Sequence, residues 1–407
     1  VTTSPEPLRS SAASVFLVFL RLGLTSFGGP VAHLGYFREA FVVRRRWLRD
    51  DAYADLVALC QFLPGPASSQ VGMALGLQRA GLLGLLAAWC GFTLPSAVLL
   101  VAFALLVSGT PDLAGAGWLL GLQAAAAAVV AQAVLGMARS LTPDRRRATI
   151  AAAAAIVVLL VPGPAAQVAV IAVCGVVGVL WLGRVVDSVE DVGDTEDIAG
   201  AEVAVRLPRW VAVSALVAFA ALLVAAPVAA SGTGAVRLFG VFAQAGSLVF
   251  GGGHVVLPLL ESQTVATHLV GHADFLAGYG AAQAVPGPLF TFAAYLGAVA
   301  DGSPSGLLGA AVALVAIFLP AALLVIGALP FWHVLRALPW ARRVLAGVNA
   351  GVVGILAAAL WDPVITEGVR SAPALALAVA AFTALTRWSA PPWAVVIGAG
   401  LLGAVVL

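Results

Sequence analysis

Apolar runs of 18 or more residues recur along this 407-residue chain, separated by short stretches that carry most of its arginines and carboxylates. A helix of that length crosses a hydrocarbon core of about 30 Å, so most of the chain is expected to be solvated by lipid. The pattern predicts membrane segments over 12–32, 53–77, 82–106, 117–137, 148–182, 211–229, 236–260, 275–299, 306–329, 344–360, 372–385 and 393–407. The fifth is too long for one helix and is cut by Pro162, Gly163 and Pro164, which makes it either two short helices or one broken span. The apolar run that follows Ser14 lacks a small-residue cleavage site, so Val15 onward is expected to be the first membrane segment of the mature chain.

Composition narrows the class. Only 10% of residues are charged and 62% are hydrophobic, where a soluble domain carries roughly 25% charge. A cytosolic enzyme, a secreted domain and a nucleic-acid binder are all argued against. Every one of the 21 basic residues is arginine. Cys60, Cys90 and Cys174 are far apart in apolar surroundings and read as small buried side chains. Seven carboxylates (Asp187, Glu190, Asp191, Asp194, Glu196, Asp197 and Glu202), with no base among them, mark a solvated linker. The chain is thus expected to divide into a membrane repeat over 1–186, a linker over 187–209 and a second repeat over 210–407.

The halves repeat each other in sequence. Val18-Phe19, Gly23 and Phe27-Gly28-Gly29 return as Val241-Phe242, Gly246 and Phe250-Gly251-Gly252, an offset of 223. Gln61-Phe62-Leu63-Pro64-Gly65-Pro66 returns as Gln283-Ala284-Val285-Pro286-Gly287-Pro288 at 222, and Gly81-Leu82-Leu83-Gly84 as Gly306-Leu307-Leu308-Gly309 at 225. A register this steady marks a duplicated membrane unit. Arg38, Arg44, Arg45, Arg46 and Arg49 follow the first Phe-Gly-Gly segment, whereas 261–274 holds no arginine; 107–116 holds none, whereas 330–343 holds Arg336, Arg342 and Arg343. Corresponding loops then lie on opposite sides of the membrane, as an inverted-topology repeat requires. If the clusters at Arg38–Arg49 and Arg139–Arg147 share the cytoplasm, one of the three apolar segments between them must enter and return. The Pro-Gly-Pro segment is the candidate, because Pro64 and Pro66 each remove a backbone donor. The expected fold is all-α and polytopic, with a re-entrant or broken helix in each half.

Interrupted helices free backbone N–H groups that cost several kcal/mol each if left unpaired in hydrocarbon. Ala67-Ser68-Ser69-Gln70 would start a helix just after Pro66, presenting a positive dipole end and two hydroxyls suited to an anion. Gly28, Gly29, Gly251 and Gly252 let backbone approach a ligand or a neighbouring helix closely. Arg21 lies within the first span and would pair, snorkel or face a wet cavity. His33 and His254 follow the Gly-Gly breaks, while Gln61 and Gln283 each precede Pro-Gly-Pro by three residues. The candidate substrate-binding set is Arg21, Gly28, Gly29, His33, Gln61, Pro64, Gly65, Pro66, Ser68, Ser69, Gln70, Gly251, Gly252, His254, Gln283, Pro286, Gly287 and Pro288. No cofactor or metal is expected, because no Walker loop, histidine pair or nucleophile–base set is legible.

Phe27-Gly28-Gly29-Pro30 with His33, the stretch 44–59, Gln61 to Pro66 with Ser68-Ser69-Gln70, and Gly91-Phe92-Thr93-Leu94-Pro95-Ser96 resemble the chromate ion transporter family in its two-domain form. Phe250 to His254, Pro258-Leu259, Gln283 to Pro288 and Leu319-Pro320 carry the likeness in the second half. The resemblance implies export of chromate, a tetrahedral dianion, across the bacterial inner membrane by a multi-pass protein, with sulfate competing or exchanging. Monomer and homodimer both stay open. Pro288-Leu289-Phe290-Thr291 stands where the first half has Pro66-Ala67-Ser68-Ser69, so the first half is expected to make the main oxyanion contact. A different class of reading is a passive anion channel or scaffold in which the re-entrant segments line a pore or serve packing.

Overall fold

A computed structural model of the chain describes residues 10–27, 29–108, 117–161, 164–183, 207–249, 256–302, 304–332 and 338–407. Within them the chain is helical, with no strand. Helix α1 (Ala12–Thr25) opens at Ser11, whose side chain accepts the Ser14 N–H. Its buried residues Val15, Phe19 and Gly23 recur every four positions, so one stripe faces inward. Ser26 ends the helix in an extended conformation, and Gly29, at φ 78°, begins α2 (Gly29–Arg38). The segment expected as one span over 12–32 is therefore two helices. Positive φ is open to glycine at little steric cost, and that is where the direction changes. A π-helical turn, Glu39–Arg44, continues α2 toward the arginine-rich loop.

The Pro-Gly-Pro segments fold back on themselves. Helix α3 (Asp50–Phe62) has 13 residues, about 20 Å, too short to cross a bilayer core. After Pro64-Gly65-Pro66 the chain enters α4 (Ala67–Ser108), which is not one rod: Ala80 and Gly81 leave helical φ/ψ, and Gly76 packs directly on Gly84 across the turn. Its limbs, 67–79 and 82–108, run antiparallel. The break falls where the sequence pattern separates 53–77 from 82–106. A straight passage over 50–79 would put Trp47 and Arg79 about 40 Å apart. Instead the Arg79 guanidinium carbon lies 4.8 Å from the Trp47 ring centroid, so the hairpin returns to the end it left.

The second half does the same. Helix α9 (Gly234–Leu248) leads toward the second Phe-Gly-Gly motif, and α10 (Val256–Thr264) follows that motif. Helix α11 (His272–Ala284) reaches Pro286-Gly287-Pro288, and a 3₁₀ turn (Leu289–Thr291) starts α12 (Phe292–Val299) back again. The Asp301 N–H donates to the Leu269 carbonyl at 2.8 Å and closes the base. Helix α13 (Gly306–Ala328) then packs Gly309 on Gly297, and Gly306 at φ 58° matches Gly81 at φ 63°.

Helix α5 (Gly117–Leu141) leads into α6 (Arg145–Leu160) and α7 (Pro164–Trp181), so the long fifth segment is two helices. Helix α8 (Arg209–Ala230) precedes α9, while α14 (Pro339–Ala359), α15 (Ala372–Arg387) and α16 (Pro392–Val406) close the chain. Helix α5 packs against α11, α14, α15 and α16, and α14 against α6 and α7, binding the two halves together. The acidic linker lies largely outside the described residues, which resume at Leu207. Among the described residues, five helices are long and apolar enough to cross a membrane, α4 counted once although it is folded in two. Leu83, Leu160, Leu180 and Val224 are 70–80% exposed, the pattern of a surface solvated by acyl chains.

Candidate functional site

The tips of the two hairpins are held by each other's halves. The Gly65 N–H donates to the Val249 carbonyl at 2.7 Å, and the Gly287 N–H donates to the Ser26 carbonyl at 2.9 Å. Val249 and Ser26 are equivalent positions, each ending the helix before a Phe-Gly-Gly motif. The neighbours are reciprocal too. A Cβ on Gly65 would sit 3.1 Å from the Ala321 Cβ, and one on Gly287 would sit 2.8 Å from the Ser96 Oγ. Ala321 and Ser96 each follow a helix-internal proline, Pro320 or Pro95. Two backbone donors freed by the breaks are thus satisfied across the halves.

Side chains around this crossing are polar and buried. His33 is 1% exposed; its Nδ1 lies 3.4 Å from the Ser68 Oγ, its ring meets Phe92 edge-on at 5.3 Å, and the Ser26 carbonyl stands beside it. The Gln70 Nε2 donates to the Pro64 carbonyl at 2.8 Å and braces the tip. Ser26 Oγ, His33 Nε2, Ser69 Oγ, Gln70 Oε1, Thr93 Oγ1 and Gln283 Nε2 are buried with no hydrogen-bond partner in the protein. An unsatisfied buried polar group costs about 1–3 kcal/mol, so a bound polar species here is stabilised by several donors at once. Gly29, Gln283, Gly287 and Pro392 surround a cavity of about 10 Å³, room for one water. A tetrahedral oxyanion requires the crossing to widen.

The expected residues divide clearly. His33, Pro64, Gly65, Pro66, Ser68, Ser69 and Gln70 gather at the first tip, and Gln283, Pro286, Gly287 and Pro288 at the second, beside Gly29. Arg21 and Gln61 do not join them: both are exposed. Arg21 is two residues from Phe19 and from Gly23, on the face of α1 opposite its buried stripe. Gly28, Gly251, Gly252 and His254 lie outside the described residues. Ser26, Thr93 and Ser96 were not in the expected set. Their signal was adjacency, since Ser26 precedes the Phe27 motif and the other two sit inside Gly91–Ser96.

The family model described as "Chromate transporter" matches residues 13–179 and 236–404, one stretch in each half. A chromate transport protein of Pseudomonas aeruginosa is 30% identical over 403 residues, covering 94% of this chain and 88% of that protein. One of Cupriavidus metallidurans is 27% identical over 380 residues, covering 88% and 86% respectively. A Methanocaldococcus jannaschii protein described only as an uncharacterized transporter is 23% identical over 356 residues, covering 86% and 83%. No solved structure matches.

Proposed function

Because the chain belongs to the chromate transporter family, we propose that this multi-pass membrane protein exports chromate from the bacterial cytoplasm by alternating access, with sulfate as competitor or exchange partner. The observation that carries the reading is the reciprocal pair of backbone bonds, Gly65 to Val249 and Gly287 to Ser26, among buried polar groups without partners, hydroxyls and an amide nitrogen included. In this reading the halves, 1–186 and 210–407, are inversely oriented repeats. The two family matches, one in each half, support the duplication. The opposed arginine loops support the inversion.

The substrate exchanges part of its water shell for Ser68, Ser69, Ser26 and Thr93 hydroxyls, the Gln283 amide and His33, while Gln70, its Nε2 on the Pro64 carbonyl, holds the tip in shape. The N-terminus of the 67–79 limb adds its dipole. The second tip offers less: Phe290 replaces one hydroxyl, and the Thr291 Oγ1 is spent on the Pro288 carbonyl at 2.7 Å. Rocking of the halves would part the two backbone bonds and admit the dianion from one side at a time. An inside-negative potential favours expulsion by about 2.3 kcal/mol per elementary charge per 100 mV. A cavity of about 10 Å³ suits a gated carrier better than an open pore.

Labelled chromate uptake into everted vesicles, competed with sulfate, tests this. Saturable uptake inhibited by sulfate is expected. Flux that rises linearly with chromate and scales with voltage would replace the carrier with a channel.

A further inference from the structure

The first hairpin's base carries an arrangement that its transport tip does not explain. The chain leaves α2 through the π turn Glu39–Arg44, and Arg46 then takes φ 50°, a left-handed conformation that residues other than glycine seldom adopt. The result is a tight reversal, with the Trp47 N–H donating to the Phe41 carbonyl at 2.7 Å. Trp47 packs on Phe41 at 4.7 Å between ring centroids, and Phe41 is fully buried against Phe19 and Phe37. The indole is therefore fixed from behind, and on it lies the Arg79 guanidinium, 4.8 Å from the centroid.

Arg79 differs from the arginines nearby. Arg38 is paired with Asp50 at 2.6 Å and Arg44 with Glu39 at 2.8 Å. Arg79, half-buried, has no carboxylate partner among the described residues, and its buried Nε has no hydrogen-bond partner. Stacking holds a planar guanidinium flat while leaving its edge donors free, the geometry that suits a multi-oxygen anion. The equivalent position in the second hairpin, at the 222 offset of the Pro-Gly-Pro motifs, is Asp301. The first base presents a cation here, whereas the second presents a carboxylate that shares a pocket with Arg237.

We propose that Arg79, propped on Trp47, is the capture site that takes a tetrahedral dianion from the arginine-rich face before it reaches the Ser68-Ser69 tip. The assignment rests on the transport reading above and adds to it a binding residue outside the crossing. Capture electrostatics act on the substrate concentration needed and on its salt dependence, not on the step at the tip.

The test uses the full chain in liposomes, with labelled chromate as probe. Arg79→Ala is expected to raise KM about tenfold with the maximal rate within about twofold, and to flatten the loss of affinity that salt causes in the parent. Arg79→Lys should recover only part of the affinity, because an ammonium keeps the charge but not the stacked planar fork, and Trp47→Phe should fall between the parent and Arg79→Ala. If Arg79→Ala does not accumulate, Arg79→Cys modified in the membrane as a mixed disulfide, with release of sulfinate, replaces it: a cationic thiosulfonate should restore KM and an anionic one raise it further. Parental KM and salt slope in a well-folded Arg79→Ala protein would overturn the capture site alone. Absence of saturable, sulfate-competed uptake by the parent would instead overturn the transport reading.

Discussion

The two Pro-Gly-Pro hairpins share a backbone and differ in chemistry. Each is a pair of short helices that returns to its starting end, and each has a glycine at its tip donating to the carbonyl before the other half's Phe-Gly-Gly motif. Around the first tip stand His33, Ser68, Ser69 and Gln70. Around the second stand Phe290 and Phe292, with Tyr279 and Tyr295, all nearly or fully buried and in ring contact with Phe292 or Phe318. Architecture is thus carried by main-chain donors common to both, and polarity is concentrated in one. The aromatic hairpin serves as the rigid wall against which a polar hairpin is positioned.

The largest expected effect tests what is shared. Gly65 at φ 122° and Gly287 at φ 104° occupy conformations that strain any side chain by about 1–3 kcal/mol, before the clash with Gln70 or Ser96 is added. Gly65→Ala and Gly287→Ala should each lower folded yield and melting temperature in detergent, and to similar extents. A large loss in one and none in the other would break the equivalence of the tips.

The next test separates the hairpins. Replacing Ser68 and Ser69 together by Ala removes hydroxyls that would face a charged ligand, where each bond is worth about 1.5–3 kcal/mol, so chromate affinity should fall at least tenfold. Abundance should fall only slightly, because Ser69 Oγ has no internal partner to lose and Ser68 Oγ loses only its long contact, 3.4 Å, with His33 Nδ1. Thr291→Ala removes an internal bond to Pro288 instead. It should lower the melting temperature with KM unchanged, and the opposite assignment of effects would invert the roles of the hairpins. Smaller still is Arg21→Ala: an exposed cation on the outward face of α1 should change KM by no more than about twofold.

Arg21 also shows what a sequence offers and withholds. As an arginine inside an apolar run it invites a functional reading, yet the Val15, Phe19 and Gly23 stripe sets the phase of α1 and leaves Arg21 outside. That phase was available from spacing alone. The Pro-Gly-Pro breaks, the turn near Gly81 and the division at Pro162 were legible because proline and glycine act locally on the backbone. The near-constant register between halves reappears as reciprocal contacts, Gly65 with Ala321 and Gly287 with Ser96. What stayed hidden depends on residues far apart in sequence. Ser96 reaches the crossing only because the second limb of α4 passes the second tip, where Gly287 lies against Phe92 and Ser96, and Trp47 meets Arg79 only because the hairpin closes. The π turn that aims Trp47 has no periodic signature at all.

The bases of the hairpins give the smallest and most selective contrast. The first is flanked by a charged pair, Arg38 Nε and Nη2 to the two Asp50 oxygens at 2.6 and 2.8 Å, whereas the second is closed by the Asp301 main-chain N–H, which does not titrate. The hydrogen bond from Arg38, reinforced by its charge, holds the Asp50 carboxyl below its ordinary value of 3.8. A depressed folded-state pKa contributes stability that is present above the unfolded value and is lost as pH falls through the folded one. Acid below about pH 4 should therefore loosen the first base, whereas the second gains stability as Asp274, whose carboxyl is held above its ordinary value by burial and by the neighbouring Asp301, is protonated. Both side chains are more than half exposed, at 52% and 61%, so screening keeps the effect slight. Melting curves from pH 6 to pH 3 should show a shallower acid slope for Asp50→Asn than for the parent, with the two converging at the acid end. The difference should shrink further in high salt. Identical slopes at low salt would mean that the loop around Trp47 is held by its aromatic packing and strained turn, with the ion pair contributing nothing to closure.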